Sequence, residues 1–475
     1  MTSIKRKAYR LLSLAFVLVV VIACGGNGNN ASGRSAGTSP AGAESVPKSD
    51  VKLTLWHWKV GFDPGLKAVA QKFKADTGIT VETQAITPDQ TYVQYLLAAA
   101  AEGTMPDIYL YWSTASAGVA ALSGIAANLQ GELEADPAWK NSFLATGLNE
   151  VTISQAHVDA WQSNVNMGAW YKDRKVGEVY NLPIDIGSNY IIYANAKLLK
   201  KAGIPQTAPV SIEAWIEDMK KAKSATGVPA LTFGGRYASL YQNWFADFID
   251  YMKNGPESYA ALMTGKENMI DPKHSHIGDF LETMSNNELL VPGVTMLDID
   301  PSDQLFANGQ AVYSIGGTFT YASLLTMGMN PADIISFRVP AYEGSVNPDA
   351  KAPLIPLTSA AVTEAGPYKK EAIQFVKYLT SQEGQLLYAN AAVSIPAIKL
   401  DDTSLLNPTS RSMLEAISLE DTWWSQNLRI VINVWNQEWN SYYEELQKVM
   451  LGKSTAAKAN AVFDNLMTNK YANKP

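Results

Sequence analysis

The sequence predicts an α/β protein folded into two lobes. Strands and helices alternate from Val51 onward, which is the order of a parallel sheet with crossover helices. The roughly 425 residues that follow a compositionally distinct N-terminal segment also exceed what one core normally serves.

The alternation is clearest at the start. Val51 to Trp56 alternates toward a buried strand. Gly65 to Thr77 repeats Leu66, Val69, Ala70 and Phe73 at helical spacing and stops at Gly78. Ile79 to Thr83 reads as a second strand, Gln90 to Glu102 as a helix ending at Gly103, and Pro106 to Trp112 as a third strand. In such sheets ligands bind beyond the carboxyl ends of the strands, and Trp56 to Lys59 and Trp112 to Thr114 occupy two of those ends. Further on, Tyr190 to Ala194 reads as a strand and Lys197 to Ala202 as a helix stopped by Gly203-Ile204-Pro205. Ser211 reads as the N-cap of a helix from Ile212 to Ser224, without the Glu that would complete a capping box.

The N-terminus carries an export signal. Lys5, Arg6, Lys7 and Arg10 precede an apolar run from Leu11 to Ala23, which is short for a permanent bilayer span. The run ends in Val21-Ile22-Ala23-Cys24-Gly25-Gly26, the arrangement of a bacterial lipobox. Residues 1–23 are therefore expected to be a signal peptide, with Cys24, the sole cysteine, acylated and left as the first mature residue. Residues 24–50 are rich in Gly, Ser, Asn, Ala and Pro and form the expected flexible leash. The localisation implied is extracytoplasmic, on a lipid anchor in the cell membrane.

Composition narrows the function classes. A net charge of -7 argues against a general nucleic-acid binder. With a single cysteine, disulfides and cysteine-ligated metals are excluded from the folded part. From Val51 onward neither a Gly-x-Ser-x-Gly nor a His-Glu-x-x-His motif occurs, and no cofactor or metal is expected. The twelve Trp and 22 Tyr suit either a large core or a surface that stacks on sugar faces.

Four segments together resemble the extracellular solute-binding proteins of carbohydrate ABC importers, the maltose-binding-like class. They are Leu53-Thr54-Leu55-Trp56-His57-Trp58 with Met105-Pro106-Asp107-Ile108; Tyr180-Asn181-Leu182-Pro183 through Tyr193 to Leu199 and on to Trp215; Phe306 to Gly317; and Ala372 to Leu379 with Ser381 to Gln385 and Ser394 to Ala397. The resemblance implies a two-lobed fold like that of type II periplasmic binding proteins, closing by hinge bending around a solute. It implies lobe 1 over 51–186 with a return at 336–362, and lobe 2 over 187–335 with the C-terminal part 363–475. Crossings are expected near Pro183 to Asp185, Ser336 to Pro340 and Thr358 to Val362. The partners implied are a carbohydrate ligand and the permease subunits, with the chain acting as a monomer.

The same resemblance implies where ligand contacts fall. Trp58 and Lys59 follow the first strand, and Trp112 and Ser113 the third. Asp185 sits at the first expected crossing, where a carboxylate can accept from two hydroxyls. Tyr241 and Trp244 open a helix of lobe 2. Phe319 follows Gly316-Gly317-Thr318 at a point where relatives carry Trp, and Trp423 and Trp424 stand where relatives place another stacking ring. Each has a plainer reading beside it: a Trp is more often core than contact, and Asp185 could instead satisfy backbone N–H groups. Trp215, Trp439 and Leu446 read as packing, and His57 as a core or solvent residue. Two other classes compete with a binding protein, a secreted glycoside hydrolase with carboxylates across a cleft and a structural surface lipoprotein or adhesin, and within the binding class a non-sugar polar solute is the alternative ligand.

Overall fold

The computed structural model describes residues 50–113, 124–163, 169–418 and 439–471. All of them fall within one compact unit, Val46–Pro475. The signal segment, Cys24, nearly all of the leash, Trp423 and Trp424 lie outside the described residues.

Two sheets organise two cores. The first runs β11-β4-β10-β3-β1-β2, built from β1 (Lys52–His57), β2 (Thr80–Ala85), β3 (Ile108–Trp112), β4 (Leu182–Gly187), β10 (Ile355–Val362) and β11 (Ile395–Pro396). The second runs β6-β7-β5-β8, built from β5 (Ile191–Asn195), β6 (Leu231–Thr232), β7 (Tyr313–Gly316) and β8 (Ile334–Arg338). Two short strands, β9 (Ala352–Pro353) and β12 (Ile417–Ser418), pair in parallel beside them.

The first three strands form as the alternation predicts, with β1 parallel to both β2 and β3. Leu53 and Leu55 face the core while Thr54 and Trp56 are only partly covered. Helix α1 (Asp63–Thr77) has Pro64 in its first turn, where a missing N–H costs nothing. Gly78, at φ 78°, ends it in the left-handed region and donates to Lys74 O. Helix α2 (Asp89–Glu102) ends in the same way at Gly103. The Ser211 hydroxyl caps the helix Ile212–Thr226 by accepting from Ala214 N–H at 3.2 Å. Trp215 and Trp439 are fully buried in the second core, with Leu446.

The chain order of the lobes differs from the expectation in two places. The helices Lys369–Leu379 and Gln382–Ala392 belong to the first core, where Phe375 meets Phe73 edge-on at 5.2 Å. Gln385 fixes them there: its amide donates to Ile184 O and Leu379 O, and its carbonyl accepts from Ala397 N–H. The cause lies in β10, which inserts antiparallel between β3 and β4, so the chain leaving Val362 is already on the first lobe. Ser336 to Arg338, expected to return to lobe 1, instead complete β8 against β5 in the second sheet. Pro183 to Asp185 and Thr358 to Val362 lie inside β4 and β10, so they are not crossings. The chain passes between the sheets over residues 188–190 and again over 339–354.

Candidate functional site

The carboxyl ends of β1 and β3 place two indoles side by side. Trp58, just after β1, is 3% exposed and sits against Phe62 at 5.4 Å, Tyr92 at 5.7 Å and Trp112 at 4.6 Å. It is a core residue that backs Trp112, not a surface open to a ligand. Trp112, the last residue of β3, remains partly exposed. Tyr111 braces it edge-on at 4.9 Å. Ser113 is buried and tied to the sheet: its N–H donates to Leu357 O, and its hydroxyl pairs with that of Ser359 at 2.5 Å. It positions the end of β3 and has little left to offer a solute.

Asp185 is also buried within β4, where Oδ1 accepts from Thr358 N–H at 2.8 Å. Burial pushes its carboxyl up to about 7, partly offset by Thr358. The plainer reading of Asp185 is therefore the one the geometry supports, a carboxyl that satisfies a backbone N–H of β10.

On the second lobe the turn after β7 presents Phe319. A Cβ at Gly317 would run into the Phe319 ring, so glycine there lets the ring fold back over the turn. Tyr193 OH donates to Gly317 O at 2.7 Å and pins the turn to β5. Trp244 meets Phe319 edge-on at 5.3 Å. Trp244 lies on a π-helical turn, Gln242–Ala246, a local distortion that recurs at functional sites. Tyr241, three residues earlier, points elsewhere. It is fully buried among Phe245 and Phe280, and its OH donates to Ile277 O. It belongs to the second core rather than to a ligand surface.

Lys59 joins the two sides. Its Nζ lies 3.1 Å from Asp300 Oδ1 and 3.6 Å from Asp303 Oδ2, both on the helix Ile299–Ala307 of the second lobe. The same ammonium stands 5.2 Å from the centre of the Phe319 ring. Asp303 is 2% exposed; burial pushes its carboxyl up to about 7, with Lys59 opposing and Asp300 reinforcing the shift.

Asp300 and Asp303 are candidate site residues that sequence reasoning missed. The two aspartates had a signal, since their i,i+3 spacing on a helix places both carboxylates on one face. Nothing local points to a lysine 241 positions away. Asn243 is buried beside Trp244, and neither end of its amide has a hydrogen-bond partner. His57 is buried in the first lobe, with Nδ1 3.1 Å from Lys59 O and Nε2 3.0 Å from Asp63 Oδ1. It thereby holds the turn that carries Lys59. Among the described residues no group of three or more His, Cys, Asp or Glu could hold a metal, and no helix is long and apolar enough to cross a membrane.

Comparison with known proteins assigns the architecture. The profile of the bacterial extracellular solute-binding protein family matches residues 60–386. No curated protein sequence matches. Among solved structures, a protein from a study of xylan utilisation by the thermophilic bacterium Caldanaerobius polysaccharolyticus aligns with TM-score 0.66 at 19% identity, covering 87% of this chain and 99% of its own. A chitin oligosaccharide binding protein aligns with TM-score 0.63 at 18% identity, over 88% of this chain and 99% of its own. Maltose-bound MalE3 of T. maritima aligns with TM-score 0.64 at 18% identity, over 88% of this chain and 100% of its own. At these identities the likeness establishes the two-lobed fold.

Proposed function

The chain belongs to the bacterial extracellular solute-binding protein family, and on that premise we propose that it captures a sugar or oligosaccharide between its lobes and delivers it to the permease subunits of an ABC importer. The observation that carries the reading is the placement of partly exposed aromatic rings on both lobes, Trp112 on the first and Phe319, backed by the buried Trp244, on the second. Sugar rings present an apolar C–H face to such rings and equatorial hydroxyls to polar groups around them.

Binding without turnover fits the carboxylates. Asp300 and Asp303 share one helix and one lysine, whereas glycoside hydrolysis needs carboxyl groups on opposite sides of the scissile bond. The lipobox at Cys24 supports a lipid anchor, and the composition of the leash supports a domain held off the membrane on a flexible tether.

The test is tryptophan fluorescence and thermal melting of the protein titrated with xylo-, chito- and malto-oligosaccharides and raffinose. A binder shifts its emission and its melting temperature with one of these and leaves the sugar intact. Release of reducing ends would instead make it a hydrolase.

A further inference from the structure

The turn between β1 and α1 is wedged against the second lobe at two independent points. Lys59 is 3% exposed, with its ammonium held by Asp300 and Asp303 as described. Two residues on, Gly61 packs against the helix Thr320–Thr326. A Cβ built there would lie 3.2 Å from Ala322 Cβ and 3.3 Å from Ser323 N. The contact therefore leaves no room for a side chain.

Both contacts join the first lobe to the second. We propose that Lys59, clamped by Asp300 and Asp303 and seated by Gly61, is a cross-lobe latch that stabilises the closed arrangement of the lobes. Asp300 and Asp303 are positioning residues for that ammonium. Asp303 is committed to the role: Oδ2 makes no hydrogen bond, and its approach to Lys59 is an ion pair at 3.6 Å. Removing one member of a buried charge cluster leaves the others uncompensated in the closed state, while in the open state water solvates them. Loss of either side therefore shifts the population toward open by the difference between the two states. A corollary is that Lys59, expected from sequence to touch the ligand, is occupied in the closed form by protein carboxylates.

The latch is tested on the full chain with no saccharide present, so its outcome is separate from whether the ligand is a sugar. Dyes are attached through unnatural amino acids at Lys140 on the first lobe and Lys221 on the second, and single-molecule energy transfer reads the distance between lobes. The wild type is expected to show a measurable population at the distance of this structure. Lys59→Met and the double variant Asp300→Asn/Asp303→Asn should each lower the closed-to-open ratio at least tenfold. Gly61→Leu should do so by wedging. The charge swap Lys59→Asp/Asp303→Lys should recover most of the closed population, which a merely structural defect would not. The aspartate-to-asparagine changes are close to isosteric, and circular dichroism confirms folding of each variant. Unchanged distance distributions in folded Lys59→Met and Asp300→Asn/Asp303→Asn would overturn the proposal.

Discussion

The ring of Trp112 lies 4.6 Å from that of Trp58, centroid to centroid, with the planes 34° apart. Only Trp112 reaches the surface, so the pair divides the work: Trp58 is support and Trp112 is the face a ligand can meet. Trp112→Ala is expected to weaken saccharide binding by more than about tenfold, or about 1.4 kcal/mol, with a smaller loss of stability. Trp58→Ala should instead cost about 3 kcal/mol of folding stability, because it empties a buried site. Titration calorimetry and urea unfolding on both variants check this. Equal binding losses with equal destabilisation would show that the two rings are not separable in role.

Asp185 makes a pH prediction whose sign follows from burial. Its carboxyl is pushed up to about 7 in the folded protein, against an unfolded value of 3.8. The folded state thus binds the proton more tightly, and stability falls as pH rises between those values. Asp185→Asn can keep the Thr358 N–H bond without an ionisable group. The variant should therefore gain on the wild type from pH 4 to pH 7, by up to about 4 kcal/mol. Melting temperatures across that range give the answer, and a constant difference would contradict the assignment.

In the second lobe His274 is clamped between two carboxylates, with Nδ1 2.8 Å from Asp250 Oδ1 and Nε2 2.6 Å from Glu267 Oε2. Burial pulls the imidazole down, but Asp250 and Glu267 more than reverse it, so its pKa stands above the usual 6.5. Asn254, Ser258, Lys273 and His276 complete the surroundings. A raised histidine contributes stability fully below pH 6.5 and loses it as pH rises through the folded value. Glu267 is opposite in sense. Burial raises it, but Ser258, His274 and Lys273 draw it down to about 2, so its share is present above 4.5 and lost as pH falls toward 2. His274→Asn should cost about 3 kcal/mol near pH 5.5, and less at pH 9. A cost independent of pH would mean that the ring is held neutral.

Cys24 carries the prediction about tethering. Labelled palmitate should enter the wild-type protein in a bacterial host and be absent from Cys24→Ala, which should appear in the soluble extracytoplasmic fraction. Labelling of the alanine variant would place the lipid elsewhere.

Much of the first lobe is legible in the sequence because its signals are local. Alternation at Leu53 and Leu55 and the glycine stops at Gly78 and Gly103 each act within a few residues, as does the Ser211 cap in the second lobe. The resemblance alone assigns the segment at 369–392 to the second lobe, and local sequence does not say which sheet its helices cover. That depends on β10 entering the first sheet. The site is harder for two reasons. Tyr241 precedes a π-turn and Trp244 lies within it, where the 3.6-residue period fails and facing cannot be counted off. The Lys59 clamp joins residues more than two hundred positions apart, and only the packed lobes bring them together.

The central claim is that the cleft between the lobes binds one saccharide and releases it unchanged. Isothermal titration of the wild-type protein with the oligosaccharide panel tests it most directly. The account predicts saturable one-to-one binding of at least one member, with a negative heat-capacity change and recovery of the intact sugar. Absence of heat with every member, from protein shown to be folded, would contradict it.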